Sequence, residues 1–149
     1  MDKTLGDYRV YYNTYENSLR IVRYIGLGGA LRIPSCWQNM MVTSIGPGSF
    51  KDALITSVDI PRCVCRIYAN AFHSCSLLTR VTITPGLTSI GSFAFARCDN
   101  LTNIAIPASV VVVGAHAFYS CAKLKKVTLS KKTDIDGKSF PSHTVITRI

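Results

Sequence analysis

Five phenylalanines recur along this chain at a nearly constant interval. Phe50, Phe72, Phe95, Phe118 and Phe140 are separated by 22, 23, 23 and 22 residues. A period of that size means stacked copies of one small unit, and it decides the fold before local preferences are weighed. Other columns keep the same step. Five positions before each phenylalanine stands Ile45, Ile67, Ile90, Val113 or Ile135, and one before stands Ser49, Ala71, Ala94, Ala117 or Ser139. Three after the middle phenylalanines come Cys75, Cys98 and Cys121, and six after come Leu78, Leu101 and Leu124.

Each unit then carries one alternating segment: Val58 and Ile60, Val81 and Ile83, Ile104 and Ile106, Val127 and Leu129. Alternation over four to six residues predicts a strand with one buried face. Pro61 and Pro107 follow directly and Pro85 one residue late, and a residue without an N–H ends a ladder. The Ala-Phe-x-x-Cys segment is too short for an independent helix and predicts a turn or a single helical turn. One such unit cannot bury its apolar side, whereas stacked copies can, with parallel strands about 4.8 Å apart. The fold class is therefore a repeat solenoid with coils of about 23 residues, a parallel β ribbon and short turns.

The first forty residues escape the period. Tyr8–Tyr12 and Leu19–Val22 predict two strands joined by a polar link, and Leu31-Arg-Ile-Pro34 predicts a further one. A first coil exposes its interior, so an N-terminal β-hairpin with five tyrosines is expected to cover it. The expected organisation is one domain: residues 1–41 as hairpin cap and first coil, and residues 42–149 as four full coils and a partial fifth. At the other end, the open strand edge is expected to be blunted by Arg148, covered by a partner or a second copy, or continued in a longer array.

The stretch Thr88-Ser-Ile-Gly-Ser-Phe-Ala-Phe-Ala-Arg-Cys-Asp-Asn-Leu-Thr-Asn-Ile-Ala-Ile-Pro107 resembles the BspA-like, or Treponema pallidum type, leucine-rich repeat. The opening from Gly28 to Pro34 and from Val42 to Gly46 is similar to the usual start of such arrays. The resemblance covers roughly residues 8–149. It implies a leucine-rich-repeat solenoid and an adhesion-like role in protein binding, without implying a shared ligand site.

Chemistry-bearing residues do not gather into a catalytic set. The cysteine column is expected to point inward as small apolar free thiols. Cys63 and Cys65, two apart, are expected to face one way, and no further ligand column completes a zinc site. Cys36 lies in the cap without an evident partner. His73 and His116 are expected at the surface, with His143 taking the place of a cysteine. No Ser-His-Asp or Cys-His register, and no opposed carboxylates beyond neighbouring Asp134 and Asp136, support catalysis. Gly26-Leu-Gly-Gly29 lacks the strand-to-helix setting of a phosphate loop. The expectation is no enzyme, no cofactor and no metal.

Binding is then the remaining class. The outward columns of the ribbon read Ser57, Arg80, Asn103, Lys126, Arg148, then Asp59, Thr82, Ala105, Thr128, and beside them Thr56, Thr79, Thr102, Lys125, Thr147. Seventeen Lys and Arg against 8 Asp and Glu give a formal charge of +9, and the excess grows toward the C-terminus. Arg80, Asn103, Lys125, Lys126 and Arg148 are the candidate binding residues, for an acidic protein or glycan. Nucleic acid or an anionic surface is the alternative, but no aromatic side chain in these columns offers a base a stacking platform. A second candidate is an apolar flank of Tyr68, Phe93, Val111, Val112 and Tyr119, suited to a partner or a second copy. The uncharged stretch from Asn100 to Ala122 is too interrupted to span a bilayer. Met1–Gly6 does not read as a secretory leader, which fits a cytoplasmic protein or a leaderless form of a surface protein.

Overall fold

The structure, a computed structural model, describes residues 2–149. Its N-terminal part comprises β1 (Asp2–Leu5), β2 (Tyr8–Asn13), β3 (Ser18–Tyr24), β4 (Gly29–Arg32), β5 (Cys36–Trp37) and β6 (Met40–Ile45). From there long and short strands alternate. They are β7 (Ile55–Ile60), β8 (Arg66–Ile67), β9 (Arg80–Ile83), β10 (Ser89–Ile90), β11 (Asn103–Ala105), β12 (Val112–Val113), β13 (Lys126–Leu129), β14 (Asp134–Ile135) and β15 (Val145–Arg148).

Two parallel ribbons result, where the sequence reading expects one strand per coil. The expected ribbon is β4-β7-β9 followed by β11-β13-β15, with β9 and β11 side by side. The second runs β3-β6-β8-β10-β12-β14. It is built from the aliphatic column Ile45, Ile67, Ile90, Val113 and Ile135 with the residue before each. The inward apolar residues of both ribbons form one continuous core, while β15 at the open end is exposed along its length.

The phenylalanine ladder runs through that core. Consecutive rings from Phe50 to Phe140 stack at centroid distances of 4.8, 4.9, 5.2 and 5.1 Å, within 17° of parallel. Their backbones are tied as well. The N–H groups of Phe50, Phe72, Phe95 and Phe118 donate to the carbonyls of Ala71, Ala94, Ala117 and Ser139 in the next coil, at 2.7 to 2.8 Å. The residue before each phenylalanine is buried at this contact, which explains why it is Ala or Ser.

No helical turn forms between the ribbons; the Ala-Phe-x-x-Cys segments are consecutive tight turns. Two positions per coil reverse the chain with positive φ. One column holds Gly48, Asn70, Phe93 and His116 (φ 56° to 59°), and the other Asp52, Ser74, Arg97 and Ser120 (φ 55° to 60°). Glycine takes this conformation freely and asparagine tolerates it, whereas a bulky ring there is uncommon.

The N-terminus closes the stack as the hairpin reading expects. β2 and β3 pair antiparallel, and β3 continues in parallel onto β6. Of the five tyrosines, Tyr8 and Tyr24 form the lid: Tyr24 stacks on Phe50 at 5.3 Å and Tyr8 meets the same ring edge-on at 6.2 Å. Tyr15 is fully exposed instead. A further strand, β1, pairs with β2, and β5 folds back on β6 as a hairpin. Gln38 and Asn39 at its tip have φ of 48° and 61°, as a type I′ turn requires.

The last coil departs from the expected register. Between Phe140 and β15 it is three residues shorter than the coil before, so Lys126 pairs with Val145, Thr128 with Thr147, and Leu129 with Arg148. The segment that would carry the cysteine and leucine columns is missing, and His143 is exposed rather than inward. Arg148 turns over the open end. Its Nη1 donates to the carbonyls of Ser130, Lys131 and Thr133 at 3.3, 3.2 and 3.0 Å. Among the described residues no helix is long and apolar enough to cross a membrane.

Candidate functional site

The long-strand ribbon presents a face of small side chains that carries three exposed cations, Arg80, Lys125 and Lys126. Ser57 pairs with Arg80, and Asn103 with Lys126; the next column sets Asp59 beside Thr82 and Ala105 beside Thr128. Arg80, Asn103, Lys125 and Lys126 are all exposed. Strand alternation places Arg80, Asn103 and Lys126 there, because Val81, Ile104 and Val127 after them face the core, and Lys125 is exposed just before β13. Lys125 and Lys126 border a shallow groove of about 350 Å³, floored by Thr102, Asn103, Ala105 and Thr128. Arg148 does not join this face; its register pairs it with Leu129 and its guanidinium is held by carbonyls at the coil end.

Among the described residues one ion pair forms, Arg32 with Asp59 at 3.7 Å, at the N-terminal side of the same ribbon. The two line a larger hollow of about 560 Å³ with Pro34, Ser35, Thr82 and Thr84. Arg80, Lys125 and Lys126 therefore have no carboxylate partner among the described residues.

The apolar flank is rearranged in detail. Phe93 and Tyr119 meet, but through His116, which the sequence reading places at the surface as an isolated residue. The imidazole stacks on Phe93 at 4.9 Å, and Tyr119 stands edge-on to both. His116 is half-buried, and its Nδ1 is enclosed without a hydrogen-bond partner. Register carries the signal for this cluster, since Phe93 and His116 are 23 residues apart in one column. Tyr68 is engaged by Arg20, whose guanidinium lies 4.8 Å from the ring centroid. Val111 and Val112 are exposed on the second ribbon, Val112 between Ser89 and Asp134.

The cysteines separate into two groups. Cys75, Cys98 and Cys121 are fully buried, and each thiol donates to a phenylalanine carbonyl of the preceding coil: Phe50, Phe72 and Phe95, at 3.1, 3.3 and 3.1 Å. A small apolar side chain with one weak donor suits that position. Burial pushes Cys75 and Cys121 up to about 12 and Cys98 higher still, so none offers a thiolate near neutrality. Cys63 and Cys65 do not share a face as period two would dictate. They lie in a turn and its exit, Cys63 buried and Cys65 exposed. A thiol-reactive chromophore should therefore label Cys36 and Cys65 quickly in the folded protein, with Cys75, Cys98 and Cys121 reacting only on unfolding. Rapid labelling of all six at pH 8 would contradict the inward column.

His73 Nδ1 lies 2.9 Å from Ser74 Oγ, but the two are chain neighbours in a tight turn. Burial and the nearby Lys51 and Arg97 hold the imidazole below its usual range. Among the described residues no group of three or more His, Cys, Asp or Glu is placed to hold a metal.

Comparison with known proteins agrees with this geometry. The profile of the BspA type Leucine rich repeat region matches residues 43–149 in 6 copies. The chain belongs to the BspA-type leucine-rich repeat family. Its fold superposes on the T. pallidum leucine-rich repeat protein with a TM-score of 0.84 and 28% identity, over 91% of this chain and 64% of that one. A leucine-rich cell surface protein of Faecalibacterium prausnitzii gives 0.73 and 26%, over 99% of this chain and 50% of that one. A leucine-rich repeat protein of Bacteroides capillosus gives 0.77 and 30%, over 87% and 98%. This BspA-type chain thus spans between half and two thirds of the first two. None of the curated proteins compared with it matches significantly. Leucine-rich repeat proteins generally mediate protein binding.

Proposed function

We propose that the protein is a non-catalytic binding module whose long-strand ribbon recognises an acidic partner protein through Arg80, Asn103, Lys125 and Lys126. The supporting observation is three exposed cations, Arg80, Lys125 and Lys126, on a face of Thr, Ala, Ser and Asn, none of them in an ion pair among the described residues. Lys125 and Lys126 are chain neighbours and Arg80 lies two coils away, and like charges so close repel unless screened or met by opposite charge. An acidic surface supplies that charge, and the small neighbouring side chains let it approach the strands. An acidic glycan is the second ligand this face suits. Nucleic acid is less suited, because no aromatic ring stands beside these cations to take a base.

The test is binding of a glutamate-rich polypeptide, measured by calorimetry across salt concentrations. The triple variant Arg80→Gln/Lys125→Gln/Lys126→Gln should bind about tenfold more weakly at low salt, with its circular dichroism unchanged. A control with equal charge loss elsewhere, Lys131→Gln/Lys132→Gln/Lys138→Gln, should stay within about twofold of the parent. Equal losses in both would leave only net charge and sink the ribbon as the site. Tighter binding to a sulfated glycan or to generic DNA than to the polypeptide would redirect the partner class.

A further inference from the structure

Three of the six cysteines converge where the N-terminal hairpin meets the coil after it. β5 lies against the start of β6, with Cys36 opposite Met41, while β8 pairs with the end of β6. The chain entering β8 is drawn to the same strand, since the Cys65 N–H donates to the Thr43 carbonyl at 2.8 Å. The Ser35 carbonyl is shared. It accepts the Val42 N–H at 2.9 Å and the Cys63 thiol at 3.3 Å. In a trans peptide the carbonyl oxygen and the following Cα lie on one side of the C–N bond, and no peptide here is cis. The Cys63 sulfur is thus held beside the peptide that leads into Cys36. Cys65 stays close, its thiol donating to the Cys63 carbonyl at 3.5 Å. Burial pushes the Cys63 thiol above its usual range, and the neighbouring Cys65 and Cys36 act in the same direction. In the repeat column Cys75, Cys98 and Cys121 also neighbour one another, but all three are fully buried and each thiol is directed at a phenylalanine carbonyl one coil away.

We propose that Cys36 and Cys63 are a thiol–disulfide pair, oxidised by a low-molecular-weight disulfide, that clamps the β5–β6 hairpin to the coil beginning at β8. Cys36 is exposed and reacts first. Its thiolate attacks one sulfur of the small disulfide, a mixed disulfide forms, and one small thiolate leaves and takes a proton from solvent. The Cys63 thiol then loses its proton and attacks the Cys36 sulfur. The internal S–S bond forms, and the second small thiol leaves. Two protein thiols are oxidised and one small disulfide is reduced to two thiols. Cys63 is buried, so this second step is intramolecular and does not need the reagent to enter.

The experiment is incubation of the full chain with oxidised glutathione at pH 8, followed by intact mass and non-reducing peptide mapping. The expected product has lost two hydrogens, carries no glutathione at this pair, and joins tryptic peptide 33–51 to peptide 63–66. Because the second peptide also contains Cys65, the variants assign the bond. Cys65→Ser should still form the link. Cys36→Ser and Cys63→Ser should not, and Cys63→Ser should accumulate the Cys36 glutathione adduct at least tenfold over the parent. The oxidised parent should also melt at a higher temperature than its reduced form, with no such rise in Cys63→Ser. A stable adduct on Cys36 of the parent without cross-link overturns the proposal. So does an internal link that survives in Cys63→Ser, since the partner would then be Cys65. An unchanged melting temperature on forming the bond overturns the clamp.

Discussion

Replacing Phe95 with alanine should remove about 3–5 kcal/mol of stability, the largest loss expected from any single ladder position. The ring is fully buried, 4.9 Å from Phe72 and 5.2 Å from Phe118, and nearly parallel to both. In a stack where each coil touches only its neighbours, one missing ring weakens two interfaces. The cavity cannot collapse easily, because the ribbons fix the coil spacing on both sides. A domain of this size has only about 5–15 kcal/mol in total, so Phe95→Ala should lie near unfolding at 37 °C. Phe95→Leu, which keeps most of the volume, should cost about 1–2 kcal/mol. Urea denaturation followed by circular dichroism measures both. A loss below about 1 kcal/mol for Phe95→Ala would mean that the ring is not packed between its neighbours.

The second large effect concerns backbone rather than volume. Gly86 should not tolerate alanine: its φ is 150°, and an added Cβ would fall on the Arg62 carbonyl oxygen of the preceding coil. The preceding spacing, from Phe50 to Phe72, is one of the short ones, and the chain at Arg62 lies close against the next coil. Relief requires the coils to separate, which also strains the Gly86 N–H bond to Ser109 Oγ at 3.1 Å. The expected cost of Gly86→Ala is about 2–4 kcal/mol. Gly137→Ala is the control. Nothing lies within 4 Å of its added Cβ and its φ is not positive, so it should be neutral or stabilise by about 0.4–1 kcal/mol. Equal melting temperatures for the two variants would remove the close approach at Gly86.

Much of this architecture is legible in the residue columns because each column has one physical task. Phenylalanine fills the centre, Ala or Ser admits the backbone of the next coil, and cysteine offers a small side chain with a weak donor. The second ribbon is not legible in the same way. Arg66–Ile67, Ser89–Ile90 and Val112–Val113 are two residues long, too short to show alternation. The shortened last coil is hidden for another reason. Phe140 keeps the period, so an alignment on phenylalanine carries the register past the missing residues and sets Arg148 beside Lys126. The pairing of Lys126 with Val145 appears only once strands are placed. In the candidate binding face, Arg80, Asn103 and Lys126 follow from alternation, whereas Lys125 is exposed just before β13 begins. The cluster of Phe93, His116 and Tyr119 depends instead on a left-handed turn position that is occupied by Gly48 and Asn70 in earlier coils. Sequence pattern does not show which non-glycine residues adopt that conformation.

The most direct trial of the stacked register is nuclear Overhauser spectroscopy on protein labelled at phenylalanine and at the backbone amides. Ring protons of Phe95 should show contacts to both Phe72 and Phe118, and the strand around Lys126 should show contacts to Val145 and Ile146. Rings without mutual contacts, or a Lys126 strand facing Arg148 across the ribbon, would contradict the coil alignment on which the binding face is built.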